Sequence, residues 1–161
     1  MNFIITEIND QLNIDLFHCQ NDQVNEFIHK NALYNNKNLL SKVYVLVDKD
    51  QIYIAGIISL SAYMLNLPHS KKYTIQQVPA VLLGRIGIDD KYRGQNLVRE
   101  YLIKYALGVC SEVIDYIGCR LLIVEVEKGD SIKDFFIKNG FQEEKSNKKY
   151  HFLSIDLLYN K

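Results

Sequence analysis

Val81-Leu82-Leu83-Gly84-Arg85-Ile86-Gly87-Ile88-Asp89-Asp90-Lys91-Tyr92-Arg93-Gly94-Gln95-Asn96-Leu97-Val98-Arg99 changes character twice. The apolar start, residues 81–88, reads as a strand, residues 89–96 as a polar loop, and Leu97, Tyr101, Leu102, Tyr105 and Ala106 as one side of a helix. A strand-to-helix turn of this kind exposes backbone N–H groups at the positive end of the helix dipole, which suits a pyrophosphate. Arg93 and Arg99 can add charge-assisted bonds to such an anion. The same letters also serve a plain connection in which Gly94 makes a tight turn, and residues alone leave both readings open.

Working toward the N-terminus, residues 43–47 and 52–60 are two β-rich runs separated by Asp48-Lys49-Asp50-Gln51, a turn-forming tetrapeptide, and read as an antiparallel hairpin. A first strand is expected over 3–8. A helix capped by Asn21 or Asp22 follows, with Val24, Phe27 and Ile28 at helical spacing, ending by Asn35-Asn36. The segment Tyr63 to Pro79 is mixed and polar, and reads as a loop that could contact a substrate or act as a lid.

Toward the C-terminus, residues 121–126 form a continuous apolar run broken by Glu125, as in a buried central strand. Asp130 or Ser131 caps the next helix. Asn139-Gly140 ends it, with Gly140 suited to a left-handed C′ position. A last strand is expected over 151–157, where apolar and polar residues alternate. The order β-α-ββ-β-α-β-α-β predicts an α/β fold with a mixed sheet.

The 161 residues fit a single domain spanning 1–161, large enough for a hydrophobic core without staples. With 48% hydrophobic and 24% charged residues, the balance is that of a globular protein. There are no repeats and no Pro- or Gly-rich linker. No basic-then-apolar leader and no long apolar run is present, so a cytoplasmic protein is expected. Cys19, Cys110 and Cys119 lack metal-ligand spacing and read as buried free thiols, and no metal site is expected. His18, His29, His69 and His151 match no catalytic pattern. A formal net charge of zero gives no global electrostatic case for nucleic acid. Two local basic clusters remain, Lys71-Lys72 and Lys145 with Lys148-Lys149, for which solvated loop charges are the cheaper account.

The run from Val78 to Gln95 resembles the motif of GCN5-related N-acetyltransferases (GNAT), R/Q-x-x-G-x-G/A after the fourth strand. Residues 134–141, Asp-Phe-Phe-Ile-Lys-Asn-Gly-Phe, resemble the family's F-Y-x-x-x-G-F helix end. Most of the chain, from about Phe17 onward, resembles the branch holding the acetyltransferase toxins of toxin–antitoxin pairs, including Val78-Pro79-Ala80-Val81-Leu82-Leu83-Gly84-Arg85. The resemblance implies a GNAT-like mixed, largely antiparallel central sheet flanked by helices. It also implies acetyl-CoA as co-substrate, with the pantetheine arm along the backbone of Ile86, Gly87 and Ile88. The pyrophosphate would lie on the loop Arg93, Gly94, Gln95, Asn96, Leu97 and Val98, with Arg99 beside it. The implied activity is acetyl transfer to a primary amine, extending in the toxin branch to aminoacyl-tRNA. An antitoxin partner and a homodimer are implied in the same way.

Three positions depart from the pattern. Asn96 and Val98 stand where the family has glycine or alanine. Asparagine tolerates left-handed geometry, whereas a β-branched valine would crowd a phosphate unless it faces the core. Phe136 stands where the family has a tyrosine that protonates the departing thiolate. Losing such an acid costs about 10²–10⁴ in rate, roughly 3–5 kcal/mol of barrier. Glu125, in a Val-Glu-Val context similar to that of ribosomal-protein acetyltransferases, is the candidate base, a role that a buried carboxylate with a raised pKa would suit. A structural hydrogen bond or an exposed place would serve Glu125 as well. These departures also support a different class of function, an acyl-CoA-binding pseudoenzyme with regulatory use.

Overall fold

The computed structural model describes residues 2–50, 52–127, 129–144 and 150–159. Seven strands hydrogen-bond in the order β1-β2-β3-β4-β5-β7-β6. The chain gathers into two compact units, Met1–Ser61 with Gly84–Ala106, and Ala62–Leu83 with Leu107–Lys161. The sheet is mixed and largely antiparallel, with helices between its strands, as the sequence predicts.

In the first unit, β1 (Phe3–Glu7) pairs antiparallel with β2 (Lys42–Asp48), and β2 with β3 (Tyr53–Asn66). Period-two alternation sends Val43, Val45 and Val47 into a core shared with Phe17, Val24 and Ile28. On β2's other face, the Tyr44 ring meets Tyr105 at 4.9 Å. The register slips between Leu46, opposite Gly56, and Val47, opposite Ile54, which leaves Ala55 as the extra residue of a bulge.

The single helix expected after Asn21 is three pieces: α1 (Asp22–Glu26), a π turn (Phe27–Asn31) and α2 (Ala32–Lys37). Asn21 caps it as predicted, its side chain accepting from the Gln23 and Val24 N–H groups. The reason for the π turn lies in the spacing of the buried positions. Val24, Ile28, Ala32 and Asn36 are all buried, and a strict four-residue spacing drifts about 40° per step on a helix of 3.6 residues per turn. A wider turn takes up that drift.

β4 (Gln77–Ile88) belongs to the second unit up to Leu83, and there it runs parallel to β5 (Leu121–Glu127), pairing Ala80–Leu83 with Leu121–Val124. The connection is α3 (Asn96–Val113), as a parallel pair requires a long crossover. Beyond β5 come α4 (Ile132–Lys138), β6 (Gln142–Glu144) and β7 (Tyr150–Asp156), with β7 antiparallel to both β5 and β6. The Asp130 side chain accepts from the Ile132 N–H at the start of α4, as anticipated.

The loop expected over Tyr63 to Pro79 is shorter than the letters suggest. β3 continues to Asn66 and β4 starts at Gln77. Leu65, Leu67, Val78 and Ala80 form a small core with Leu121 and Ile123, and this burial extends the strands past the polar residues between them. β6 is a strand that the sequence does not announce, since Gln142-Glu143-Glu144 has no apolar pattern. Pairing with β7 and a 2.6 Å hydrogen bond from Ser154 Oγ to Glu144 Oε1 hold it. Cys19 and Cys110 are buried free thiols as expected, whereas Cys119 is half-buried. No helix among the described residues is long and apolar enough to cross a membrane. The cluster of Lys145, Lys148 and Lys149 lies outside the described residues.

Candidate functional site

The end of β4 is shaped by close packing. A Cβ on Gly87 would sit 2.6 Å from Val24 Cγ1 and 3.4 Å from Cys19 Sγ, so α1 approaches the strand only because residue 87 has no side chain. On the neighbouring strand, a Cβ on Gly56 would meet Leu102 Cδ1 of α3 at 2.9 Å. Ile86 and Ile88, on the opposite alternation to Gly87, are half-buried.

From Ile88 the chain enters a loop fastened by polar groups. The buried Asp89 donates its N–H to the Ala55 carbonyl, the bulge residue, at 3.0 Å. Its carboxylate accepts from the His18 N–H at 2.9 Å and the Lys91 N–H at 3.0 Å. Asp90 to Tyr92 make one 3-10 turn. Tyr92 is buried and donates its hydroxyl to Asp48 Oδ2 at 2.8 Å. Burial, then this bond, pushes the phenol's pKa above its ordinary value, so it remains a donor.

Residues 92–95 form a type II turn, with Arg93 at φ −59°, ψ 140° and Gly94 at φ +80°, closed by the Gln95 N–H donating to the Tyr92 carbonyl at 3.1 Å. Only the third position of such a turn demands glycine, and Gly94 supplies it. Arg93, Gly94, Asn96 and Leu97 are exposed, and Gln95 and Arg99 are half-buried. Burial lowers the Arg99 pKa. Val98 is fully buried, with Cγ1 3.2 Å from where a Gly56 Cβ would lie. It faces the core, so its methyl groups do not crowd the loop. All the loop and strand candidates, Ile86 to Ile88 and Arg93 to Arg99, thus lie in the first unit.

The other two candidates lie in the second unit. Phe136 is fully buried, edge-on to Phe135 at 5.6 Å and to Phe141 at 5.1 Å. It closes α4 in a Schellman motif: the Phe141 N–H donates to the Phe136 carbonyl, the Gly140 N–H to the Ile137 carbonyl, and Gly140 has φ +90°. Gly140 therefore fills the predicted C′ place, and the Phe136–Phe141 ring contact is the apolar contact that accompanies it. Glu125 is exposed on β5, opposite Phe152 of β7. The buried carboxylate that would suit a base is not found at this position: Glu125 shares its face with the buried Leu121 and Ile123 but is itself exposed, toward the end of the strand. Among the described residues, no group of three or more His, Cys, Asp or Glu side chains could hold a metal ion.

Sequence reasoning misses Asp48, Tyr92 and His18. Asp48 reads as a turn residue, and Tyr92 as a loop aromatic. A hint exists only in hindsight of the fold, in the acidic residue that ends an otherwise apolar strand.

No protein-family model matches the chain. The chain is 25% identical over 137 residues, 84% of its length and 81% of the relative's, to the tRNA-acetylating toxin of Mycobacterium tuberculosis (strain ATCC 25618 / H37Rv). Its fold is similar to a tyrosine-to-phenylalanine mutant of KacT, with TM-score 0.83, 25% identity and coverage of 98% and 96% of the two chains. It is also similar to AtaT complexed with acetyl-methionyl-tRNAfMet, with TM-score 0.82, 20% identity and coverage of 94% of each chain. AtaTR bound with acetyl-CoA gives TM-score 0.81, 21% identity, and coverage of 97% and 94%. In sequence and in fold alike, the chain is similar to the GNAT-type acetyltransferase toxins of toxin–antitoxin systems.

Proposed function

We propose that this protein is an acetyltransferase that moves the acetyl group of acetyl-CoA to the α-amine of an aminoacyl-tRNA. The observation that carries the reading is the turn after β4, in which Gly94 adopts a left-handed conformation and opens an 18-residue helix. Such a helix start presents backbone N–H groups with the dipole's positive end, and exposed Arg93 and Asn96 add donors for a pyrophosphate. Val98 turns into the core, so the residues present fit the group. The pantetheine arm runs along the main chain of Ile86, Gly87 and Ile88, in the manner of an added strand.

In the reaction, the amine nitrogen attacks the thioester carbonyl, the C–S bond breaks, and the CoA thiolate leaves. With Glu125 exposed rather than buried, the amine proton passes to water. Phe136 has no proton to give, so the thiolate takes its proton from water. Positioning and backbone N–H stabilisation of the oxyanion then supply most of the rate. With a net charge of zero, the tRNA contacts must gather on one face. An antitoxin as protein partner and a homodimer belong to the same reading.

The test is calorimetric titration with acetyl-CoA, followed by thiol release with charged tRNA and with mixed small amines. Binding with tRNA-dependent release supports the reading. Release with small amines alone moves the acceptor, and absence of binding sinks the reading. Affinity for tRNA that does not fall with salt would remove tRNA from it. A second reading, an acyl-CoA-binding pseudoenzyme, is favoured specifically by Phe136, whose ring is wholly taken up in packing. Binding without release of thiol from any acceptor selects it.

A further inference from the structure

Resting on the acetyl-CoA reading, we infer that the buried Tyr92–Asp48 hydrogen bond is the positioning element of the pyrophosphate loop, with Tyr92 and Asp48 acting through the turn rather than touching the ligand. Three observations meet here. The bond, 2.8 Å long, joins two buried residues, Tyr92 at 4% exposure and Asp48 at 1%. The same Tyr92 carbonyl accepts the N–H that closes the type II turn, so the place of the ring sets the place of the turn. The other face of that turn, Arg93 and Gly94, is exposed.

Around the bond, two aromatic neighbours hold the ring. Phe3 packs edge-on to Tyr92 at 5.9 Å and Tyr53 lies tilted at 6.3 Å. Tyr53 spends its own hydroxyl on the Leu16 carbonyl at 2.6 Å, and Lys91 Nζ lies over the Tyr53 ring at 3.7 Å. The second Asp48 oxygen accepts from the Asp50 N–H at 3.0 Å. Upstream, Asp89 fixes the start of the loop on the Ala55 bulge and on His18, leaving Tyr92 as the anchor nearest the exposed amides. A buried phenol–carboxylate pair carries a desolvation cost that an apolar pair would avoid, and its return is a fixed geometry. A loop held in its binding geometry before the ligand arrives loses less freedom on binding.

The effect is therefore confined to ligands that carry the pyrophosphate. Acetyl-CoA and S-acetylpantetheine, which lacks it, are compared as donors to charged tRNA in wild type and Tyr92→Phe. Expected is a rise of about tenfold in KM for acetyl-CoA with kcat little changed, and S-acetylpantetheine kcat/KM unchanged. Calorimetric Kd values for CoA and pantetheine read the same contrast without turnover. Equal losses for both donors would mean a merely structural bond and overturn the inference, as would an unchanged acetyl-CoA KM. If Tyr92→Phe does not fold, Asp48→Asn keeps an oxygen acceptor of weaker strength, and a rise of about threefold with acetyl-CoA alone is expected. Wild-type protein that does not bind acetyl-CoA overturns the acetyl-CoA reading itself, a result distinct from binding wild type with an indifferent variant.

Discussion

The turn after β4 and the end of α4 are both closed by a left-handed glycine, Gly94 at φ +80° and Gly140 at φ +90°, yet they are held in opposite ways. Behind the first stand buried polar groups, Asp89 on the Ala55 bulge and Tyr92 on Asp48, and its outer face is exposed. The second is held by three phenyl rings, Phe135, Phe136 and Phe141, in successive edge contacts. A turn anchored by directional bonds keeps one geometry while its outer amides remain open to a ligand. A turn anchored by rings is stabilised by volume and offers no proton. The first turn therefore leaves its outer face open, whereas the second is given over to packing.

The largest effect should come from emptying the apolar anchor. Phe136→Ala leaves a cavity in a fully buried site and is expected to destabilise the protein by about 3–5 kcal/mol in urea unfolding. A loss below about 1 kcal/mol would mean that the rings do not anchor the turn. Phe136→Tyr sharpens the contrast from the other side. On the acetyltransferase reading, a hydroxyl at this position is expected to raise the rate of thiol release by about 10²-fold or more, alongside about 1–3 kcal/mol of stability lost to a buried hydroxyl. An unchanged rate, with the protein folded, would mean that proton delivery is not what limits the reaction.

The second unit also has a charged anchor, which tests whether directional bonds matter there too. Arg120 grips Asp156 through two hydrogen bonds of 2.7 and 2.9 Å, and Lys72 joins at 3.1 Å. The Arg120 hydrogen bond outweighs burial and holds the Asp156 carboxyl at a pKa of about 2, against an ordinary 3.8. The folded pKa is depressed, so the stabilisation is present above about pH 4 and is lost as pH falls toward 2. At about 1.36 kcal/mol per pKa unit the contribution is about 2 kcal/mol. Asp156→Asn should flatten the acid limb of a stability–pH curve, and an unaltered limb would assign the loss to other carboxylates.

Legibility in the sequence follows the range of the forces involved. Strands and helices with periodic apolar residues, the Asn21 cap and Gly140 at C′ could be read because each is decided within a few residues. The loop boundaries at Asn66 and Gln77 were hidden because burial against β5 overrode local polarity. Val98's inward direction could not be settled from letters, since it depends on the phase of α3 against Gly56. The Tyr92–Asp48 bond joins residues 44 apart, and no local pattern announces a partner at that separation.

The smallest predicted effect isolates the turn from its anchors. A Cβ on Gly94 meets nothing within 4 Å, so Gly94→Ala adds no clash, and its whole effect is the cost of a left-handed alanine. That cost is about 1 kcal/mol, which at about 1.36 kcal/mol per tenfold is roughly fivefold if it falls on binding. Two outcomes separate the sources of rigidity. If the anchors impose the turn, alanine is forced to keep φ positive, stability drops by about 1 kcal/mol and CoA affinity holds. If the glycine itself makes the turn, the backbone relaxes, stability is kept and calorimetric affinity falls about fivefold. The polar anchors that precede Gly94, Asp89 and Tyr92, favour the first outcome. The second would transfer the origin of the loop's geometry from the Tyr92–Asp48 bond to the local freedom of one residue.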